Sequence, residues 1–302
     1  MSTSIARTGE SRPRWIAWLR DLVTALVRRP EATAPPSPAA LAVVRQARLA
    51  AEREYGFQFS ARRIGCLLVH GLTSTPQSMR RLGEAFAARG IDVEAVLLPG
   101  HGTSPEDLES TTWEEWYEAV RAALNRMRPH YDVLFVCGQS MGGALALRAA
   151  AEEPVDGVIS LAGFLYLRDW RAKLIPFVKH VWRWRKSIGN DIADPDTRDE
   201  VCYERMSLRT IEQLMHLGHA TKAILPKIAV PALVVQSRVD HVVPPDTADF
   251  IYDHIESHDK ELVRLEHSFH VVSMDYDADL VADRAVRFMR RVGYAESTHR
   301  PR

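Results

Sequence analysis

The sequence predicts an α/β fold: a mostly parallel sheet with helices on both faces and an inserted helical cap. Three observations carry that expectation. From Ile64 onward, short apolar runs alternate with stretches of helical apolar spacing, the pattern of a parallel sheet covered on both sides. The alternation breaks between Gly163 and Pro226, a stretch too long for a loop in a compact domain and rich in apolar helical patterns, hence a cap. At 302 residues and 46% hydrophobic content, the chain can bury one substantial core and carry such an insertion.

The elements follow in chain order. Residues 1–60 form an N-terminal extension. In it, Trp15, Trp18, Leu19, Leu22, Val23 and Leu26 make one apolar stripe opposite Arg14, Asp21 and Arg28, so Trp15 to Val27 is an amphipathic helix. It is shorter than the roughly 20 residues needed to span a bilayer. Arg20 and Asp21 also make it a poor signal-peptide core, although Ala40-Leu41-Ala42 leaves that option open. Two placements stay open: docked on its own body, or lying on an anionic membrane surface. Pro30 to Pro38 is a proline-rich linker and Ala39 to Glu54 a second helix. The folded body spans 61–293 with its cap at about 163–226, and 294–302 is a polar tail. Its apolar runs give strands at 64–69, 92–97, 132–137, 156–161, 231–236 and 261–265. Helices are expected near 77–89, 112–128, 141–152, 246–255 and 278–291.

One turn stands out. Gly138-Gln139-Ser140-Met141-Gly142-Gly143 follows the apolar run Tyr131 to Cys137 and precedes the Ala-rich stretch Ala144 to Ala151. A serine held on a sharp strand-to-helix turn needs glycines around it, because the backbone there leaves no room for flanking side chains. A serine hydroxyl is a weak nucleophile at neutral pH and needs a histidine base with an acid to orient it. Asp240 lies in the loop after the strand Pro231 to Gln236, where Asp246, beyond Pro244-Pro245, is the better helix cap. His267 and His270 both follow the last strand, and spacing alone does not separate them. A developing oxyanion requires donors. Met141 N–H, just after the serine, is one; the loop His70-Gly71-Leu72-Thr73-Ser74-Thr75-Pro76 offers a second at Leu72.

Composition narrows the classes. The formal net charge is zero, so nothing in the overall balance suggests nucleic acid, although residues 1–30 carry six arginines against two acids. Three cysteines are too few for a disulfide framework; Cys66 and Cys137 fall on core strands, and a reducing cytoplasm is the simplest setting. No histidine or cysteine spacing matches a metal motif, and no metal or cofactor is expected. In the cap, Phe164, Leu165, Leu167, Trp170, Leu174, Ile175, Phe177, Val178 and Val181 form apolar surface for an acyl channel or for packing. Lys173, Lys179, Arg183, Arg185 and Lys186 are expected on its solvated face. An apolar cap could also pair two copies of the chain.

The motifs His70 to Arg80, Leu98-Pro99-Gly100-His101-Gly102-Thr103, Thr112-Trp113, Gly138 to Gly143 and Ser237 to Pro245 together resemble bacterial monoacylglycerol lipases and related small carboxylesterases of the α/β-hydrolase fold. The likeness covers roughly residues 62–292. It reaches Leu265-Glu266-His267-Ser268-Phe269-His270-Val271, where the family's L-E-x-S-x-H-V places the base on His270. The resemblance implies a cofactor-independent Ser140–His270–Asp240 triad, oxyanion donors at Leu72 and Met141, and cleavage of monoacylglycerols or other short to medium acyl esters. Gln139 departs from the family's usual leucine, and residues 1–60 have no counterpart in its compact members. A thioesterase or acyltransferase would use the same triad. From another class stands a non-catalytic, membrane-associated lipid-binding protein anchored by Trp15 to Val27, against which an intact triad argues.

Overall fold

The computed structural model describes residues 63–295 apart from Asp169 and Ile188. The expected helices Trp15 to Val27 and Ala39 to Glu54 and the linker between them lie outside the described residues.

Each apolar run of the body becomes a strand. They are β1 (Ile64–Val69), β2 (Asp92–Val96), β3 (Val133–Gln139) and β4 (Gly157–Leu161) before the insertion, with β5 (Trp184–Lys186) and β6 (Arg205–Ser207) inside it. After it come β7 (Ala232–Ser237) and β8 (Lys260–Leu265). The main sheet has the order β2-β1-β3-β4-β7-β8, and all its pairings are parallel. Two-residue periodicity divides each strand between two cores. Leu67, Val69, Leu134 and Val136 face one side. Cys66, Leu68, Val133, Phe135 and Cys137 face the other.

Helices cover both faces, as crossover connections of a parallel sheet require. On one side lie α1 (Arg80–Ala87), reached through a 3₁₀ turn at Pro76–Met79, and the C-terminal Ala278–Ala295. The other side holds α3 (Trp113–Met127) and α4 (Met141–Glu152), with the short α2 (Pro105–Ser110) at their edge. Thr112 opens α3 with a full capping box: its hydroxyl accepts from Glu115 N–H while Glu115 Oε2 accepts from Thr112 N–H. Helix α2 is absent from the sequence expectation, yet Ser104-Pro105-Glu106-Asp107 carries its signal. Ser104 accepts from Asp107 N–H, proline sits at the start, and acids fill the first turn.

The insertion is less helical than expected. Among its described residues are the short helix α5 (Ile175–Val178), 3₁₀ turns at Trp170–Leu174 and Pro195–Thr197, the antiparallel ribbon β5–β6, and the long helix α6 (Leu208–Ile224), capped by Ser207. After β7 comes α7 (Thr247–His254). Asp246 precedes α7 but makes no side-chain cap bond, contrary to expectation, because its carboxylate pairs with Arg168 of the insertion at 2.7 Å. The C-terminal helix, α8, runs to Ala295, two residues into the stretch expected to be a polar tail.

Glycines at the turn after β3 admit the backbone contacts that shape it. A Cβ on Gly142 would stand 2.1 Å from the Val69 carbonyl oxygen, a contact that backbone cannot relieve without moving β1. Gly142→Ala should therefore destabilise the fold by about 3 kcal/mol or more, measured as the shift in urea midpoint.

Candidate active site

The sheet's C-terminal edge gathers the candidate residues. β3 ends at Gln139, and Ser140 follows with φ 57° and ψ −115°, a left-handed backbone that side-chain-bearing residues rarely adopt. It is held there by three backbone bonds: Ser140 N–H donates to Leu161 C=O at 2.8 Å, and Ser140 C=O accepts from Phe164 N–H at 3.0 Å and from Ala144 N–H at 3.1 Å. Asp240 lies just beyond β7, and His270 in the loop after β8.

The structure brings these three together. His270 Nε2 lies 2.8 Å from Ser140 Oγ, and His270 Nδ1 lies 2.8 Å from Asp240 Oδ2. The carboxylate fixes the tautomer: Nδ1–H donates to Asp240, leaving Nε2 to accept from the serine hydroxyl. Asp240 is in turn anchored by four donors. Val242 and Val243 N–H reach Oδ1 at 2.8 Å each, and Gln236 Nε2 reaches Oδ2 at 2.7 Å alongside the imidazole. Burial pulls the His270 pKa down, but the charge and hydrogen bond of Asp240 more than offset it, with Asp191 and Glu200 adding, so the pKa stands above 6.5. His267 takes no part in the relay; its N–H donates to Asp277.

The loop after β1 lies against the serine. A Cβ on Gly71 would sit 3.5 Å from Ser140 Cβ, so this loop approaches Ser140 at contact distance. Thr73, at φ 65°, turns the chain, accepts at its carbonyl from Tyr203 N–H of the insertion, and contacts Ser187 Oγ with its hydroxyl at 3.2 Å. His70 supports the loop from below. Its Nδ1 donates to Gly71 C=O and its Nε2 accepts from Leu98 N–H. Burial, and then the neighbouring His101, lower its pKa to about 3, so the ring stays neutral. Among the described residues, neither Leu72 N–H nor Met141 N–H donates to an acceptor.

Three residues near the relay escaped the sequence reading. Gln139, noted only as a departure from leucine, donates its Nε2 to the His270 carbonyl at 2.9 Å. Asp191 of the insertion accepts from His270 N–H through both its carbonyl and Oδ2, and its carbonyl also takes Val271 N–H. Its Oδ1 lies 3.1 Å from His241 Nδ1, the residue beside Asp240. Asp275 completes the staple by accepting from Ala193 and Asp194 N–H of the insertion and from Phe269 N–H. None of these pairings has a local sequence signature. Asp191→Ala removes an acceptor from His270 N–H and leaves the buried His241 ring unpaired. It should lower kcat about 10- to 100-fold, with a smaller change in KM and a stability loss of about 1–3 kcal/mol, read by steady-state kinetics and thermal unfolding.

Above the relay the insertion encloses an apolar cavity. Ser140, His270 and Leu72 meet there with Phe164 and Leu167, and with Met206, Ile211 and Leu214 from β6 and α6. Of the apolar residues expected to line a channel or to pack the cap, Phe164 and Leu167 are those that line it among the described residues. Leu165 and Ile175 pack into cores, and Phe177 and Val181 are 75% and 62% exposed. Lys179 and Arg183 pair with Glu212 and Glu109, but Arg185, expected in solvent, lines the cavity. Among the described residues no cluster of three or more His, Cys, Asp or Glu could hold a metal ion, and no helix is long and apolar enough to cross a membrane.

A six-stranded parallel sheet, a serine on the turn after its third strand and an insertion over that turn make this the α/β-hydrolase fold. Residues 61–277 match the profile of the serine aminopeptidase S33 family, and the chain belongs to that family. It is 39% identical to the thermostable monoacylglycerol lipase of Bacillus sp. strain H-257 over 229 residues, covering 76% of this chain and 91% of the relative. It is 27% identical to a carboxylesterase of Bacillus subtilis strain 168, over 79% of this chain and 97% of that one. A solved structure described with the metagenome-derived lipolytic enzymes LipS and LipT superposes with a TM-score of 0.73 at 37% identity, over 76% of this chain and 94% of its own.

Proposed function

We propose that the protein is a carboxylic ester hydrolase that cleaves monoacylglycerols, or other short to medium acyl esters, through an acyl-enzyme on Ser140. The observation that carries this reading is the continuous relay Ser140 Oγ, His270 Nε2, His270 Nδ1, Asp240 Oδ2 opening into an apolar cavity. The 39% identical monoacylglycerol lipase supports the substrate class.

The chemistry follows from the tautomer. Ser140 Oγ attacks the ester carbonyl as His270 Nε2 takes its proton, and the carbonyl oxygen turns toward Leu72 and Met141 N–H. Asp240 stabilises the imidazolium. His270 returns the proton to the leaving alcohol, and water then attacks the acyl-enzyme by the same route in reverse. Each methylene of the acyl chain buried against Phe164, Leu167 and Ile211 adds about 0.8 kcal/mol. Cys66 and Cys137 are buried free thiols, which suits a reducing cytoplasm.

The test compares kcat/KM for 1-lauroylglycerol, p-nitrophenyl butyrate and lauroyl-CoA. A preference for the glycerol ester supports the lipase reading, and activity confined to the butyrate leaves a general carboxylesterase. A preference for the thioester would overturn the assignment to oxygen esters.

A further inference from the structure

The ribbon β5–β6 presents one residue of each strand to the cavity. Arg185 pairs with Met206 across it, and both line the cavity that holds Ser140 and His270, whereas Trp184 and Lys186 on either side do not. The cavity surface is mostly apolar, with Phe164, Leu167, Met206, Ile211 and Leu214, while Thr73, Ser187 and Glu200 are polar members of its lining. A guanidinium withdrawn from water without a counter-charge is costly, so its presence on this face calls for a partner.

Among the described residues no carboxylate pairs with Arg185, although Glu200 lines the same cavity. Arg183, two residues earlier, is bidentate to Glu109, and Arg205 on the facing strand pairs with Glu106. Among the described residues no such ion pair forms at Arg185. Its Nε donates to the Lys186 carbonyl at 3.0 Å, which leaves the terminal N–H groups of a five-donor fork free for the cavity. Burial lowers its pKa only to about 10, so the group remains a cation at neutral pH. The other charged residue of the wall, Glu200, accepts from Asn190 N–H.

We propose that Arg185 binds an anionic oxygen group of the substrate, so that the preferred esters are amphiphiles bearing a phosphate or carboxylate as well as the acyl chain. This rests on the ester-hydrolase reading above and names its substrate class. A planar fork suits either oxyanion, and phosphate best, because two parallel N–H···O bonds can form.

The experiment uses the full chain and three esters with one acyl group: 1-lauroylglycerol, 1-lauroylglycerol 3-phosphate and 2-lauroyloxypropanoate. Wild type should favour at least one anionic ester over the neutral one in kcat/KM. Arg185→Gln should cut that ratio about 10- to 100-fold, and Arg185→Lys should keep part of it. A wild-type preference for the neutral ester, or a ratio unchanged in Arg185→Gln, would overturn the proposal while leaving ester hydrolysis intact. Binding separates the two ideas even if no ester is turned over. Dodecyl phosphate should bind Ser140→Ala protein about tenfold more tightly than the double variant Ser140→Ala, Arg185→Gln, and equal affinities would refute Arg185 as the anchor. Circular dichroism of each variant checks that the ribbon's protein remains folded.

Discussion

Replacing Ser140 by alanine is expected to lower kcat/KM for 1-lauroylglycerol about 10⁵- to 10⁶-fold, the loss seen when a nucleophile acting as part of a unit is removed. The fold should survive it. Among the described residues Ser140 Oγ hydrogen-bonds to the imidazole of His270 alone, whereas the turn is held by the backbone bonds of Ser140 to Leu161, Phe164 and Ala144. The left-handed backbone at φ 57° remains strained with alanine, so the stability change should stay within about 1 kcal/mol. Ser140→Gly makes a sharper comparison: it should be equally inactive yet more stable, because glycine adopts that backbone without the cost of about 1–3 kcal/mol carried by a side chain there. Residual hydrolysis by Ser140→Ala near the wild-type rate would refute Ser140 as nucleophile. A Ser140→Gly protein that melts below wild type would refute the strain argument.

The same turn explains why so much of the site was legible from sequence. Buried parallel strands are continuous apolar runs, and the loops that follow them collect on one edge, so Ser140, Asp240 and His270 could be read as three loop residues after three strands. What escaped falls into two physical kinds. Asp191 and Gln139 act on His270 through backbone atoms 79 and 131 residues away in sequence, and such pairing leaves no periodicity to detect. The insertion misled for a different reason. Its strands are three residues long, too short for alternation to register, so the pattern puts Arg185 with Lys179 and Arg183 on one solvated face, whereas the ribbon turns Arg185 toward the cavity. Phe177 and Val181 erred in the opposite direction, apolar by type but exposed.

Asp240→Asn should lower kcat/KM about 10⁴-fold at its plateau, because an amide no longer enforces the tautomer in which Nδ1 carries the proton. It should also move the acid limb of the pH profile. In wild type the limb should lie above pH 6.5: burial lowers the His270 pKa, but the Asp240 carboxylate, by charge and by hydrogen bond, more than offsets this. With that charge gone, burial acts against only the weaker help of Asp191 and Glu200, and the limb should shift to lower pH. Stability carries the opposite sign from activity. A histidine whose folded pKa exceeds its unfolded value of about 6.5 binds its proton more tightly when folded. The stabilisation it contributes is therefore complete below pH 6.5 and is lost as pH rises through the folded pKa, the same interval in which the neutral base appears and turnover increases. Urea midpoints and kcat/KM measured side by side from pH 5.5 to 9 should move in opposite directions for wild type, and the urea trend should flatten in Asp240→Asn. An unshifted acid limb in that variant would mean that a group other than His270 governs the rate.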